Sequence, residues 1–169
     1  IEDKIVAIPM KCQFRWSMVN FGLVKSIGLS TTAGYDRTWG KFALSANANY
    51  TCQQDRDYSS PLDPEYKNTI PYSPLHSASL IVDLGYDGYS LCTSWLYTGN
   101  RFALISNNKE DMLGAWQTVD LKLNKRFSIG HQSLQTTIEC NNITNSRHEV
   151  VKRYPMPGRN WKLSVQWSW

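Results

Sequence analysis

The last nine residues, Trp161-Lys162-Leu163-Ser164-Val165-Gln166-Trp167-Ser168-Trp169, alternate strictly between large apolar and polar side chains. Successive side chains of a β-strand point to opposite faces, so this segment predicts a strand with one apolar and one polar face. The same period recurs upstream. We expect strands at residues 1–8, 27–35, 41–50, 79–86, 89–97, 116–127, 134–143 and 161–169. The sequence therefore predicts an all-β chain with about eight strands.

The connections between these strands alternate in length. Short turns are expected at 36–40, 85–88 and 128–132, and long links at 9–22, 52–76, 98–114 and 144–159. Transmembrane β-barrels have this arrangement, with tight periplasmic turns at one rim and longer extracellular loops at the other. The pattern predicts an antiparallel up-and-down barrel in which the short turns and Trp169 share one rim.

Aromatic residues form two levels along the strands, as expected for girdles at the two membrane interfaces. Near the short turns we place Tyr35, Trp39, Tyr86, Tyr89, Phe127, Trp167 and Trp169, and near the long links Tyr50, Trp95, Tyr97, Trp116 and Trp161. A soluble sandwich or a lipocalin-like barrel also alternates, but its aromatics have no reason to gather in two bands. The bands therefore favour a membrane barrel.

Composition agrees with this interpretation. A length of 169 residues suits one domain, and a mean hydropathy of −0.43 is compatible with strands that expose only every second residue to lipid. The net charge of +4 is scattered, so no nucleic-acid partner is expected. Ile1 begins inside an expected strand, and this start favours a fragment of a larger barrel.

The two faces of the strands should differ in environment. We expect Leu44, Leu80, Val82, Leu121, Leu123, Leu163 and Val165 to point outward, and Asn47, Asp83, Asp120, Lys122, Ser164 and Gln166 to point inward. The small polar inner side chains suit a wide lumen that holds water or a plug. On this inner wall, pairing outward from the turn at 128–132 predicts that Glu139 lies between Lys122 and Lys162 or Ser164.

Neither the cysteines nor the histidines form a recognisable chemical site. Cys12, Cys52, Cys92 and Cys140 lack metal-ligand spacing, and either unpaired thiols or a Cys12–Cys52 disulfide fits them. No Ser or Asp stands at a recognisable spacing from His76, His131 or His148. We therefore expect no enzyme activity, no metal and no cofactor.

The segment before the last strand carries a more specific signal. It comprises Asn141-Asn142-Ile143-Thr144-Asn145, Glu149-Val150-Val151 and Tyr154-Pro155-Met156-Pro157-Gly158-Arg159-Asn160. This segment resembles the C-terminal signature of TonB-dependent receptors, and residues 1–5 more weakly resemble a barrel strand of cobalamin, haem and siderophore receptors. The specific motif covers about the last thirty residues, whereas the strand pattern covers the whole chain.

The resemblance implies a barrel of roughly 22 strands with a plug in its lumen. Residues 1–169 would be the last third of that barrel, without the plug and without the N-terminal region that contacts TonB. The expected location is the outer membrane of a Gram-negative bacterium, among its lipids. The expected function is import of a scarce nutrient such as a ferric siderophore, haem or cobalamin.

Two further expectations follow for the end of the chain. The apolar positions of the last strand, Trp161, Leu163, Val165, Trp167 and Trp169, resemble the signal that the barrel assembly machinery reads, by adding an edge strand to an open seam. Basic residues near His148, namely Arg147, Lys152, Arg153 and Arg159, form a candidate outer loop. This loop suits lipopolysaccharide phosphates, plain solvation or an anionic ligand.

The sequence leaves an alternative from a different class, a complete small eight-stranded barrel with a structural or adhesin role. A barrel enzyme is a third hypothesis and the weakest. The first two differ in closure, because a complete small barrel pairs its first strand with residues 161–169.

Overall fold

The structure is a computed structural model that describes residues 2–9, 16–130 and 132–169. Within these ranges nearly every regular element is a strand. The strands are β1 Glu2–Pro9, β2 Trp16–Trp39, β3 Phe42–Asp57, β4 His76–Tyr86, β5 Tyr89–Thr98, β6 Arg101–Phe102, β7 Met112–Leu113, β8 Trp116–Ile129, β9 Gln132–Asn141, β10 Glu149–Val151, β11 Tyr154–Pro155 and β12 Asn160–Ser168. One short 3-10 helix, Lys109–Asp111, precedes β7.

Eight of these strands form one antiparallel sheet in the order β1-β2-β3-β4-β5-β8-β9-β12. Each long strand therefore lies beside the next long strand of the chain, which confirms the all-β, up-and-down antiparallel fold. The sheet is open, with β1 and β12 as its two edges. A closed eight-stranded barrel, as the alternative hypothesis requires, is not the arrangement of this chain.

Tight turns connect the strands at one end of the sheet, called here the short-turn end. Gly40 has a φ of 58°, and the Asp87–Gly88 turn has φ values of 45° and 78°. Two-residue hairpin turns require this left-handed region, which Gly and Asp tolerate better than bulky residues. The register places Phe42 opposite Tyr86 and Tyr86 opposite Tyr89, so these turns lie side by side. Trp169 follows β12 at the same end, which confirms the predicted topology.

The predicted link at 9–22 was wrong for its second half. Residues 16–23 belong to β2 and pair with β1, and from Val24 onward β2 pairs with β3 instead. Phe21 and Val24 are three positions apart in β2, yet both are buried against Ile70. The period-two alternation is therefore interrupted at Gly22–Leu23. Because the buried side chains change from one face of β2 to the other at this point, the sequence of residues 16–24 does not alternate between apolar and polar residues.

The register divides the sheet into one apolar and one polar face. Opposed residues of an antiparallel pair share a face. One row of the apolar face contains Leu44, Leu84, Leu91, Leu123, Ile138 and Leu163. The neighbouring row of the polar face contains Ser45, Asp83, Cys92, Lys122, Glu139 and Lys162. The predicted grouping of residues by face is thus confirmed.

The aromatic levels are confirmed with one correction. At the short-turn end the rings of Phe42 and Tyr86 lie 4.6 Å apart, and at the other level Trp95 stacks on Tyr97 at 6.3 Å. Trp116, however, pairs with Thr98 on the polar face and stacks on His148 at 4.3 Å. An aromatic residue near a strand end predicts a girdle position. The alternation of β8, however, puts Trp116 on the polar face and not on the apolar face that carries the girdle.

Glu139 lies between two lysines, as the sequence predicts. It is directly opposite Lys122 on one neighbouring strand and Lys162 on the other, with N–O distances of 3.4 and 3.6 Å. These side chains are partly exposed, so each pair contributes only about 0.2–1 kcal/mol. A slip of one residue would move Glu139 to the apolar face, and the two pairs therefore favour the observed register of β8, β9 and β12.

We expect Glu139→Lys to destabilise the folded sheet by about 1–2 kcal/mol, because two attractions become two repulsions. Denaturant unfolding and refolding yield in detergent would measure this change. Adding Lys122→Glu should recover part of the loss by restoring one opposite-charge pair. The exposed Lys41–Asp87 pair provides the control, since Lys41→Met should change stability by less than about 0.5 kcal/mol. An unchanged yield for Glu139→Lys would contradict the registering role.

Candidate functional site

The loops that follow β3, β5 and β9 lie at the end of the sheet opposite the short turns. They form one connected structure, called here the long-loop end. Asn107 lies at the junction of two loops: its side-chain amide donates to the carbonyls of Thr69 and Ile105 at 3.0 Å, and its oxygen accepts the Thr69 amide at 2.7 Å. Asn68 also donates to the Ile105 carbonyl at 2.9 Å. These bonds satisfy backbone groups that a loop would otherwise leave unpaired.

The loop after β9 is held to the same structure by two basic side chains. Lys152 forms an ion pair of 2.5 Å with Asp111 and also donates to the Glu110 carbonyl at 2.9 Å. The Arg101 guanidinium donates from one nitrogen to the carbonyls of Glu149 and Val150, at 2.7 and 3.0 Å. The loop after β9 is therefore fastened at two separate points to the loop after β5, in which β6 and β7 pair as a hairpin.

The predicted basic residues do not converge on one site. Lys152 is neutralised by Asp111, and His148 stacks on Trp116 while its Nδ1 lies 3.2 Å from the Ser146 carbonyl. Arg147, Arg153 and Arg159 are exposed. The interpretation of these five residues as a binding loop stays a prediction, with three exposed guanidinium groups as its basis.

Asn142, from the motif before the last strand, organises the loop after β9. It is buried and has a φ of 52°, and its amide nitrogen donates to the carbonyls of Ser146 and Pro157. Its side-chain oxygen accepts the Ser146 amide at 2.8 Å, and its backbone N–H donates to Asp120 at 2.6 Å. The Asn-rich part of the motif thus has a structural role at the end of β9.

Gly158, in the second part of the motif, passes close to Asn145. A Cβ added at Gly158 would lie 2.7 Å from Asn145 Oδ1, the atom that accepts the Arg159 amide at 3.0 Å. A larger residue would require the Asn145 side chain to shift away from the Arg159 amide. Glycine at this position therefore lets the Pro-Gly-Arg stretch pass close to Asn145 as the chain enters β12.

A buried carboxylate joins β1 to the rest of the long-loop end. Asp55 lies beyond the aromatic level marked by Tyr50 and accepts hydrogen bonds from Ser73 at 2.8 Å and Lys4 at 3.3 Å. Burial alone would raise the pKa of Asp55, but the hydrogen bonds from Ser26 and Ser73 and the charge of Lys4 outweigh it and lower the pKa. Asp55 therefore stays ionised at neutral pH.

A cavity of about 310 Å³ lies among β1, the ends of β5 and β8, and the loops. Val6, Ala7, Val150 and Val151 form its apolar wall, and Tyr72, Thr98, Arg101 and Trp116 complete its lining. The second guanidinium nitrogen of Arg101 and the Trp116 indole nitrogen are buried without a hydrogen-bond partner among the described residues. Burial lowers the pKa of Arg101 and raises that of Tyr72.

Sequence reasoning did not select this cavity. Arg101 follows a predicted strand in a polar loop, and nothing in its neighbourhood distinguishes it from an ordinary exposed arginine. Its contacts are 48 and 49 positions away along the chain. The alternation of β8 assigns Trp116 to the polar face. This is the one signal in the sequence that could have suggested a member of the site.

The described residues contain no cluster of metal-ligating side chains, and no helix among them is both long and apolar enough to cross a membrane. Within the same ranges Cys52, Cys92 and Cys140 form no disulfide with one another. Cys12 and His131 lie outside the described residues, so the Cys12–Cys52 disulfide stays a prediction. His76 accepts or donates a 2.8 Å hydrogen bond with Tyr50.

We expect Gly158→Ala to destabilise the loop after β9 by about 1–2 kcal/mol, through loss of the Asn145–Arg159 hydrogen bond. Limited proteolysis between residues 144 and 159 would report faster cleavage. Gly114→Ala is the matched control, since a Cβ there meets nothing within 4 Å. Equal cleavage of the two variants would show that close packing at Gly158 does not hold the loop.

The geometry can be compared with known proteins. The family model "TonB dependent receptor-like, beta-barrel" matches residues 1–143. This match ends before most of the C-terminal motif that carried the sequence resemblance. No curated protein matches the chain.

Among solved structures, the chain is similar to BauA, the ferric preacinetobactin receptor from Acinetobacter baumannii. The TM-score is 0.70 at 12% identity, and the likeness at this identity concerns the fold. The match covers 98% of this chain and 25% of BauA, so the chain spans about a quarter of the receptor's length. Because the family match extends over most of the chain and the fold agrees, this protein belongs to the TonB-dependent receptor β-barrel family.

Proposed function

We propose that the chain is the last third of an outer-membrane receptor barrel that imports a scarce nutrient, such as a ferric siderophore, haem or cobalamin. The observation that carries this proposal is the open antiparallel sheet, seven of whose eight strands lie within the family match. Both edges, β1 and β12, offer unpaired backbone groups to further strands of a larger barrel. A plug and a TonB-contacting segment would belong to the part of the receptor that precedes these strands.

The two faces of the sheet support a position in the outer membrane of a Gram-negative bacterium. Leu163 and Val165 on the apolar face are 67% and 62% exposed, as expected where lipid is the neighbour. The polar face would line the lumen, and the long-loop end would face outside. In that orientation the exposed Arg147, Arg153 and Arg159 are accessible to lipopolysaccharide phosphates or to an anionic nutrient.

The last strand has a further role in this proposal, as the segment that the assembly machinery recognises. Trp169 is 94% exposed and therefore has few contacts within the sheet. Its aromatic side chain at the end of an edge strand suits recognition by strand addition. The family consists of receptors, and no catalytic role is proposed.

The import proposal is tested with the complete receptor gene, expressed in cells with and without functional TonB. Uptake of radiolabelled ferric siderophores, haem and cobalamin would be measured after fractionation of the membranes. We expect the receptor in the outer membrane and accumulation of at least one nutrient only in cells with TonB. Equal uptake in both strains, or a location elsewhere, would contradict the proposal.

For the assembly role, we expect Trp169→Ala to lower the folded fraction in the outer membrane severalfold while leaving the stability of the folded receptor unchanged. Heat-modifiable migration on gels measures the folded fraction, and thermal unfolding measures stability. Trp39→Ala is the control, because Trp39 lies at the same short-turn end but outside the last strand. A normal folded fraction for Trp169→Ala would remove this residue from the signal.

A further inference from the structure

The carboxylates of the sheet all lie on one of its faces. Within the described strands β2, β3, β4, β5, β8, β9 and β12, the polar face carries every one of them, namely Asp36, Asp55, Asp57, Asp83, Asp120 and Glu139. The apolar face of the same strands carries cations alone, which are Lys25, Arg37, Arg56 and Lys125. These cations find no counter-charge on their own face, so the face as a whole favours anionic lipid head groups.

Two of these cations are directly opposed. Lys25 of β2 pairs with Arg56 of β3, so both side chains leave the apolar face at adjacent positions, where like charges repel each other. Lys25 is exposed, and its ammonium lies 4.4 Å from the centre of the Tyr58 ring, just beyond the end of β3. No carboxylate of the described residues forms an ion pair with either cation. An anion shared by the two would turn the repulsion into two attractions.

The carboxylates nearest to this pair in sequence have partners on the opposite face. Asp55 is paired with Lys4 at 3.3 Å, and Asp57 accepts the Ser59 amide at 2.8 Å. Arg56 itself is half-buried, and its Nε is buried, so a ligand would meet the terminal nitrogens. Those nitrogens form strong, charge-assisted hydrogen bonds with phosphate oxygens.

The surface beneath the cation pair is apolar. On β2 it continues past the row of Tyr50 through Leu29 and Ile27, which are 67% and 79% exposed. Farther along the same face, a depression of about 290 Å³ lies among small and aromatic side chains that include Ala48 and Trp95. A ligand that suits this whole strip carries an anionic group at one end and hydrocarbon at the other.

We infer that Lys25 and Arg56 bind a phosphate monoester of an outer-leaflet glycolipid, lipopolysaccharide, whose acyl chains cover Ile27 and Leu29. A phosphate monoester carries about −1.5 to −2 charges at neutral pH and so matches two cations. The phosphodiester of an ordinary phospholipid carries a single charge and would leave one cation uncompensated. The site lies on the outer wall of the sheet and not in the lumen. It rests on the proposed function for the orientation that places the long-loop end at the outer leaflet.

The test uses the complete receptor, depleted of lipid and purified in detergent, and titrates it with fluorescent lipopolysaccharide while anisotropy is measured. We expect saturable binding. Lys25→Met and Arg56→Met should each weaken it by about tenfold, whereas Arg56→Lys keeps the charge and should retain most of the affinity. Lys41→Met removes an exposed cation at the short-turn end and is the control, with unchanged binding.

Competition identifies which part of the lipid is bound. Dephosphorylated lipopolysaccharide and phosphatidylglycerol should each compete at least about tenfold less well than lipopolysaccharide, because each lacks the phosphate monoester. Inorganic phosphate at the same concentration should not compete, because it lacks the acyl chains. Lipopolysaccharide should also raise the thermal stability of the receptor, and raise it less in Lys25→Met. Without lipid, Lys25→Met should be as stable as the unaltered receptor or more so, since one repulsion is removed.

Several results would overturn the assignment. These are unchanged affinity in both methionine variants, equal competition by dephosphorylated lipopolysaccharide or phosphatidylglycerol, and competition by inorganic phosphate. A clear loss of stability in lipid-free Lys25→Met would also overturn it, because the cation would then be satisfied within the receptor itself. The two proposals fail separately. Lipopolysaccharide binding with TonB-independent uptake rejects import alone, and TonB-dependent uptake without lipopolysaccharide binding rejects the lipid site alone.

Discussion

Lipid offers no hydrogen-bond partner to a peptide group, so each strand that crosses a bilayer must satisfy its backbone on both sides from neighbouring strands. In this chain β2, β3, β4, β5, β8 and β9 each pair on both sides, whereas the edge strands β1 and β12 pair on one side. Once that pairing is set, the period of two assigns every side chain to one face. One register therefore produces two neighbouring rows of side chains. The first is the polar row through Ser45, Asp83, Lys122, Glu139 and Lys162, and the second is the row of leucines beside it.

Because this register is periodic, much of the sheet could be predicted from sequence. The strands, the short-turn end, the grouping by face and the position of Glu139 between Lys122 and Lys162 all follow from alternation and from the turn residues. Prediction failed where alternation stops. Phe21 and Val24 bury the same side of β2 despite opposite parity, and Trp116 was assigned by its residue type rather than by its parity.

The candidate site was less predictable, because its contacts are not periodic. Charge alone selected Arg147, Lys152, Arg153 and Arg159, yet Lys152 serves to hold two loops together and Arg101 is the buried cation. What distinguishes Arg101 is its approach to the carbonyls of Glu149 and Val150, which depends on how three loops fold over one another. Such an approach leaves no local signature in the sequence, in contrast to the Asn142 and Gly158 motif.

The shared bonding of the loops has a consequence for how the receptor can change through recombination. Surface loops are usually the segments that tolerate replacement best. Here Asn107 supplies the partners for the backbone of Thr69, and Arg101 does the same for residues 149 and 150. Replacing the loop that carries Arg101 and Asn107 with one from another receptor would leave unpaired polar groups in the two that remain. Loops at this end are therefore exchangeable as a set, whereas a chimera that transfers one of them alone begins with polar groups that have lost their partners.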